Sequence, residues 1–108
     1  DIPVSAHFHD TRGLGLANVA ATLDVGVRRF DASLGGLGGC PYAPGASGNV
    51  VTEDLIFMLH AMGMDTGISL EKLLFARTFM ESNLNGEVTK GAFVHAGFPK
   101  GFKPESVF

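Results

Sequence analysis

Cysteine is nearly absent from this chain. Cys40 stands alone, so an internal disulfide and a cysteine-rich zinc site are both excluded. A reduced compartment follows, cytoplasm or, in a eukaryote, the mitochondrial matrix. An excess of positive charge is also missing: 8 Lys and Arg stand against 11 Asp and Glu, a net charge of -3. That balance leaves no electrostatic footprint for nucleic acid or anionic lipid. No stretch is long and apolar enough to span a membrane, and no charged start leads into the apolar core of a signal peptide. No nucleic-acid or membrane partner is therefore expected. The chain also lacks an initiator Met. Asp1-Ile2-Pro3 runs straight into an apolar, strand-like stretch, which suggests a piece of a longer protein or a processed product. What is present is globular in character: 108 residues, 45% hydrophobic and 18% charged, the size of one small domain.

The stretch from Gly35 to Asn49, GGLGGCPYAPGASGN, organises the rest. Gly35, Gly36, Gly38, Gly39, Gly45 and Gly48 have no side chain to bury, so this is not a conventional core element. Such residues give backbone freedom and room for close approach, which Pro41 and Pro44 restrict again at two points. A flexible linker has the same glycine content. Cys40, Tyr42 and Asn49 argue against one, because a linker needs none of them, and a glycine-rich loop bearing a thiol suits an active site.

Val4 to His9 alternates as a strand does, and Asp10 to Gly13 closes it. From Leu14 to Val25, Leu16, Ala20 and Leu23 recur at helical spacing, widened by Ala17, Val19 and Ala21, and Gly26 stops the helix. Val27 to Leu34 is a second strand, and Asn49 to Val51 a very short third. Thr52 is the expected N-cap of the next helix, with Glu53 and Asp54 suited to its dipole. Leu55, Met58, Leu59 and Met62 line one face of that helix, and Gly63 ends it. Ser69 caps a further helix carrying Leu70, Leu73, Leu74, Arg77, Met80 and Leu84 at steps of three or four, with Asn85-Gly86 as terminator. Beyond it lies a loop-like tail whose Phe93, Val94, Phe98, Phe102 and Phe108 need a surface to rest on. Strands alternating with helices imply a parallel α/β sheet, covered on both faces or closed into a barrel. Three strands alone leave two open edges. The pattern therefore reads as consecutive βα units of a larger α/β barrel. A fragment that pairs through those edges, without catalysis, is the alternative.

His7 and His9 are two apart on a strand, so both imidazoles face one way, about 7 Å apart at the backbone. A pair of this kind at a strand end suits a divalent cation, and equally a hydrogen-bonded structural pair. Barrel active sites gather where strands feed loops, which favours the metal. Asn49, after the glycine-rich turn, either faces the same cavity or is an ordinary turn residue. Cys40 is an acid/base, a nucleophile or a small buried hydrophobe. Asp31 and Ser33 share a face of the second strand and either line the interior near the ion or hydrogen-bond structurally. Ser47 with Gly48 is a weak anion donor. Arg28, Arg29, His60 and His95 are expected at the surface.

Two stretches, HFHDTRGLGLANV and FDASLGGLGGCPYAPGASGNVVTEDL, resemble the 3-hydroxy-3-methylglutaryl-CoA lyases of the metal-dependent TIM-barrel lyase and synthase superfamily. The resemblance runs from Val4 to about Leu74. His7-Phe8-His9-Asp10 alone marks only the superfamily, which includes isopropylmalate and homocitrate synthases. The uninterrupted GGLGGCPYAPGASGN favours the lyase.

The resemblance implies the C-terminal βα units of a TIM (β/α)8 barrel, about strands six to eight. Residues 3–86 would be βα units with the signature loop at 35–49, and 87–108 a C-terminal tail. It places His7 and His9 as metal ligands at the end of the sixth strand, Asn49 as a third ligand, and Cys40 as the catalytic cysteine. The implied ion is Mg²⁺ or Mn²⁺, the substrate an acyl-CoA, and intact members are expected to be dimers. The implied reaction is retro-Claisen cleavage to acetyl-CoA and acetoacetate. The family's Arg-Asp-Gly strand, with its metal-binding Asp and substrate-polarising Arg, and its catalytic Glu have no counterpart in these residues. The chain alone is accordingly expected to be inactive.

Overall fold

A computed structural model describes residues 2–38, 48–84 and 86–102. Cys40, Pro41, Tyr42, Pro44, Ser47, Asn85 and Phe108, all singled out above, lie outside the described residues. The elements run β1 (Ala6–His7), α1 (Gly15–Asp24), β2 (Phe30–Asp31), a 3-10 turn (Leu34–Gly36), α2 (Thr52–Ala61), α3 (Leu70–Ser82) and α4 (Ala92–Ala96). β1 and β2 pair in parallel, Ala6 opposite Phe30 and His7 opposite Asp31.

Both strands are shorter than their alternation suggests. Ladder pairing extends only where the two face one another, and Ile2 and Val4 before β1 stay 87% and 61% exposed. The expected third strand forms two single bridges: Ser33 with Val51, parallel, and His9 with Asn49, antiparallel. The segment after Gly48 therefore lies across the ends of both strands. Val50 N–H donates to the Phe8 carbonyl (3.3 Å) and Ser33 N–H to the Val50 carbonyl (3.0 Å).

Helix α1 starts where the Asp10 carboxylate accepts the Gly15 N–H at 2.9 Å, five residues on. A Cβ at Gly15 would come within 2.6 Å of Val50 Cγ2, so glycine lets the helix start lie flat on this segment. Val19 and Leu23 are the buried stripe; Ala17 and Ala21, expected to widen it, are exposed. Gly26, at φ +94°, ends the helix as expected. Thr52 is not the cap of α2. It is the first helical residue, and its N–H is held by the Ser33 carbonyl at 2.9 Å, which leaves Val51 in the capping position. Ile56 is buried beside Leu55 and Leu59, whereas Met62 is 51% exposed. Ser69 does cap α3, its hydroxyl accepting the Lys72 N–H.

The core has two parts. Val19, Leu23, Val50, Leu55 and Leu59 join α1 and α2 to the strands, with Phe8 and Phe30 packed against them. Ile56, Leu70 and Phe93 join α2, α3 and α4. The tail is thus not all loop. α4 exists because the Asp54 carboxylate accepts the N–H groups of Ala92 and Phe93, at 3.1 and 2.8 Å, capping the helix start. Phe93 stacks on Phe57 with ring centroids 4.6 Å apart, and Phe98 and Phe102 close the aromatic group. Among the described residues, no helix is long and apolar enough to cross a membrane.

Candidate metal centre

Period-two alternation brings the His7 and His9 rings to one face of the chain leaving β1. Their centroids are 5.1 Å apart and the planes lie edge to face. Asn49 is the direct cross-strand partner of His9. Directly opposed residues share a face, with Cα atoms about 4.5–5.5 Å apart. Asp31, in register with His7, brings Oδ2 to 4.0 Å from His7 Nδ1, with its own side chain 70% exposed. His7, His9, Asn49 and Asp31 thus gather at one end of the sheet. Cys40 lies outside the described residues.

The Asn49 amide is oriented by the turn opposite. Its Nδ2 donates to the Leu37 carbonyl at 2.9 Å, while its Oδ1 is buried with no hydrogen-bond partner among the described residues. An acceptor without a partner in the interior is costly, and an oxygen ligand to a hard cation would satisfy it. Two imidazoles and an amide oxygen fit a divalent ion that accepts mixed nitrogen and oxygen donors. Among the described residues, no three His, Cys, Asp or Glu side chains converge into a metal-holding group. The donors gathered among the described residues would therefore make only part of a metal shell.

Asp10 beside His9 faces the other way in function: it caps α1. Arg28 is exposed as expected, its Nη1 donating to the Leu23 and Val27 carbonyls. Arg29 and His95 are likewise exposed. His60 differs from the surface assignment. It is half-buried, with Nε2 2.8 Å from Thr66 Oγ1, because the chain folds back over it after Gly63.

Sequence reasoning missed a buried charged group behind the site. Glu53 is 0% exposed and Arg77 6%. Arg77 Nη1 donates to Glu53 Oε2 at 2.7 Å, and both Glu53 oxygens lie 3.1 Å from the Gly35 nitrogen. The available signal was Arg77 itself, a guanidinium in an apolar helical stripe. Such a residue is buried only when paired.

Parallel strands followed by helices, with candidate ligands at the strand ends, define a segment of an α/β barrel. A family model described as HMGL-like matches residues 1–80. This chain belongs to that family. It is 62% identical over 73 residues to the hydroxymethylglutaryl-CoA lyase of Pseudomonas mevalonii, covering 65% of this chain and 24% of that protein. To the mitochondrial hydroxymethylglutaryl-CoA lyase of Gallus gallus it is 53% identical over 88 residues, 79% of this chain and 30% of the relative. The structure of an HMG-CoA lyase from Acinetobacter baumannii, in complex with coenzyme A and 3-methylmalate, superposes with a TM-score of 0.81 at 50% identity. That match covers 94% of this chain and 33% of that one. The chain thus spans about a quarter to a third of the length of the relatives it matches.

Proposed function

We propose that this chain is the part of a divalent-metal-dependent carbon–carbon lyase that carries His7, His9, Asn49 and Cys40. The substrate class is a 3-hydroxy-3-methylglutaryl thioester of coenzyme A. Residues 3–86 are read as the βα units of the sixth to eighth barrel strands, with the signature loop at 35–49, and 87–108 as a C-terminal appendage. The observation that carries this reading is the buried Oδ1 of Asn49, without a hydrogen-bond partner among the described residues, cross-strand from His9 and on the same strand end as His7.

His7, His9 and Asn49 would hold Mg²⁺ or Mn²⁺. When bound, such an ion supplies Lewis-acid polarisation and a template for the hydroxyl and carboxylate oxygens of the substrate. His7 and His9 orient the site through rings that share one face of the chain leaving β1. In the cleavage, the substrate's C3 hydroxyl loses its proton as the C2–C3 bond breaks. Acetoacetate leaves from one side, and the acetyl-CoA enolate takes a proton on the other. Cys40 is assigned a proton-transfer role in that exchange. The base and the further carboxylate ligand come from residues this chain does not contain. Turnover is accordingly expected when these 108 residues are joined to complementary barrel strands, and not from them alone. The intact enzyme is inferred to be a dimer of the cytoplasm or, in a eukaryote, of the mitochondrial matrix.

Metal analysis of the intact enzyme bearing these residues tests the reading, with thioester cleavage followed by acetoacetate release. His9→Ala and Asn49→Ala are each expected to lower Mn²⁺ affinity by about 10- to 100-fold, as loss of metal-site partners does. Unchanged metal content in both variants overturns the assignment. Condensation activity in place of cleavage would move the chain to the acyl-CoA-dependent synthases. The exposed apolar side chains of Ile2 and Val4, just before β1, support a second reading, in which the chain associates through its strands. A monodisperse monomer by light scattering would end that one.

A further inference from the structure

We propose that Glu53, paired with Arg77, is a positioning residue that fixes the Asn49 side-chain amide by anchoring the turn from Gly35 to Leu37. Its functional meaning rests on Asn49 being a metal ligand.

A fully buried carboxylate is retained only where its oxygens are satisfied. Glu53 sits in the first turn of α2, among free N–H groups of its own helix, yet both its oxygens turn to the Gly35 N–H. The other face of Gly35 is held as well. Its carbonyl accepts the Lys90 N–H at 2.7 Å, and the Lys90 carbonyl accepts Arg77 Nη1 at 2.5 Å. Gly35 is therefore clamped at its N–H and its C=O by one connected group. Gly35 and Gly36 follow each other at φ +65° and +70°, turning the chain so that the Leu37 carbonyl meets Asn49 Nδ2.

The turn has no slack. A Cβ at Gly36 would lie 2.9 Å from Val51 Cγ2, and one at Gly38 2.6 Å from Asn49 Nδ2. One at Gly48 would overlap the Gly36 carbonyl. Movement of Gly35 is thus transmitted to Leu37. Once Nδ2 is committed to Leu37, Oδ1 is the end of the amide that no described residue holds. Ion pairs of this kind are weak contributors to stability compared with apolar pairs of equal volume, so their value here lies in geometry.

Side-chain amide exchange on ¹⁵N-asparagine-labelled full chain tests the proposal. Glu53→Leu/Arg77→Leu removes the acceptor for Gly35 while keeping the site filled. The Asn49 amide protons are expected to exchange about three- to tenfold faster, the loss of one net hydrogen bond. Glu53→Gln/Arg77→Met keeps an acceptor for Gly35 and is expected to restore the slow rate. Equal exchange in all three proteins overturns the proposal. Should the leucine pair fail to fold, the unaltered chain decides. The Gly35 amide and the Asn49 side chain must open together, with one dependence on denaturant; separate openings overturn the proposal. Mn²⁺ affinity of the intact enzyme bearing His9→Ala tests the metal reading separately. If it is unchanged, that reading falls and the amide measurement still decides the role of Glu53.

Discussion

Two polar groups flank the Gly35–Leu37 turn, and they are built in opposite ways. Behind it, Glu53 and Arg77 are sealed from solvent, and the Glu53 carboxylate is engaged at both oxygens. In front, the His7 side chain is 47% exposed and the Asp31 side chain 70%, and Asn49 Oδ1 has no partner among the described residues. In the rear group both Glu53 oxygens and Arg77 Nη1 are engaged. Of its buried side-chain atoms only Arg77 Nε lacks a hydrogen bond among the described residues, 3.5 Å from Glu81 Oε2, so the group suits a fixed anchor. The front group sets one unsatisfied acceptor, Asn49 Oδ1, beside two imidazoles on a common face, which is what a ligand needs. Order at the front is obtained from the back, through backbone carbonyls rather than direct side-chain contact.

The most damaging single change should strike both groups at once. Gly48 lies between them, and any Cβ there runs into the backbone of Gly36. Gly48→Ala is expected to cost more than about 4 kcal/mol, at the far end of single-substitution effects. Denaturant unfolding measures this. A cost below about 1 kcal/mol would mean that the front segment and the turn are not in contact. Next comes the rear group alone. Arg77→Met leaves Glu53 buried without its cation, an expected loss of about 3–5 kcal/mol. Adding Glu53→Leu to it should return most of that loss, because the uncompensated charge is gone. If the double variant were no more stable than Arg77→Met, the penalty would be one of packing and the contrast between the two groups would weaken.

The sequence carried the front group far better than the rear one. His7 and His9 follow from a local rule, the two-residue period of a strand, and their shared face is realised at 5.1 Å between rings. Ser69 as a cap and Gly26 as a stop are equally local, and both stand in the structure. The barrel-type order of strand and helix was also legible, together with the parallel pairing of β1 and β2. What escaped depends on long-range partners. Glu53 meets Arg77 24 residues away, and Asp54 caps α4 from 38 and 39 residues away. α4 itself has five residues between Gly91 and Gly97, too few for a helical period to show. Thr52 looked like a cap because its composition is right, yet its N–H belongs to Ser33 across the sheet.

A smaller effect sharpens the contrast at its other end. Asn49→Ala removes one hydrogen bond to Leu37 and also removes the unsatisfied Oδ1, so the two changes oppose each other. Thermal unfolding should show a net loss of about 1 kcal/mol or less, well below Arg77→Met. The smallest effect belongs to His7. Among the described residues its half-exposed ring has one ionic neighbour, Asp31 at 4.0 Å, and a surface pair of that kind contributes about 0–1 kcal/mol. His7→Ala is thus expected to leave stability within about 0.5 kcal/mol, while Mn²⁺ affinity in the intact enzyme falls. A residue that matters to the ion and not to the fold is what an open ligand face predicts. A large loss of stability from His7→Ala would place that imidazole among the structural residues, and the distinction between front and rear would disappear.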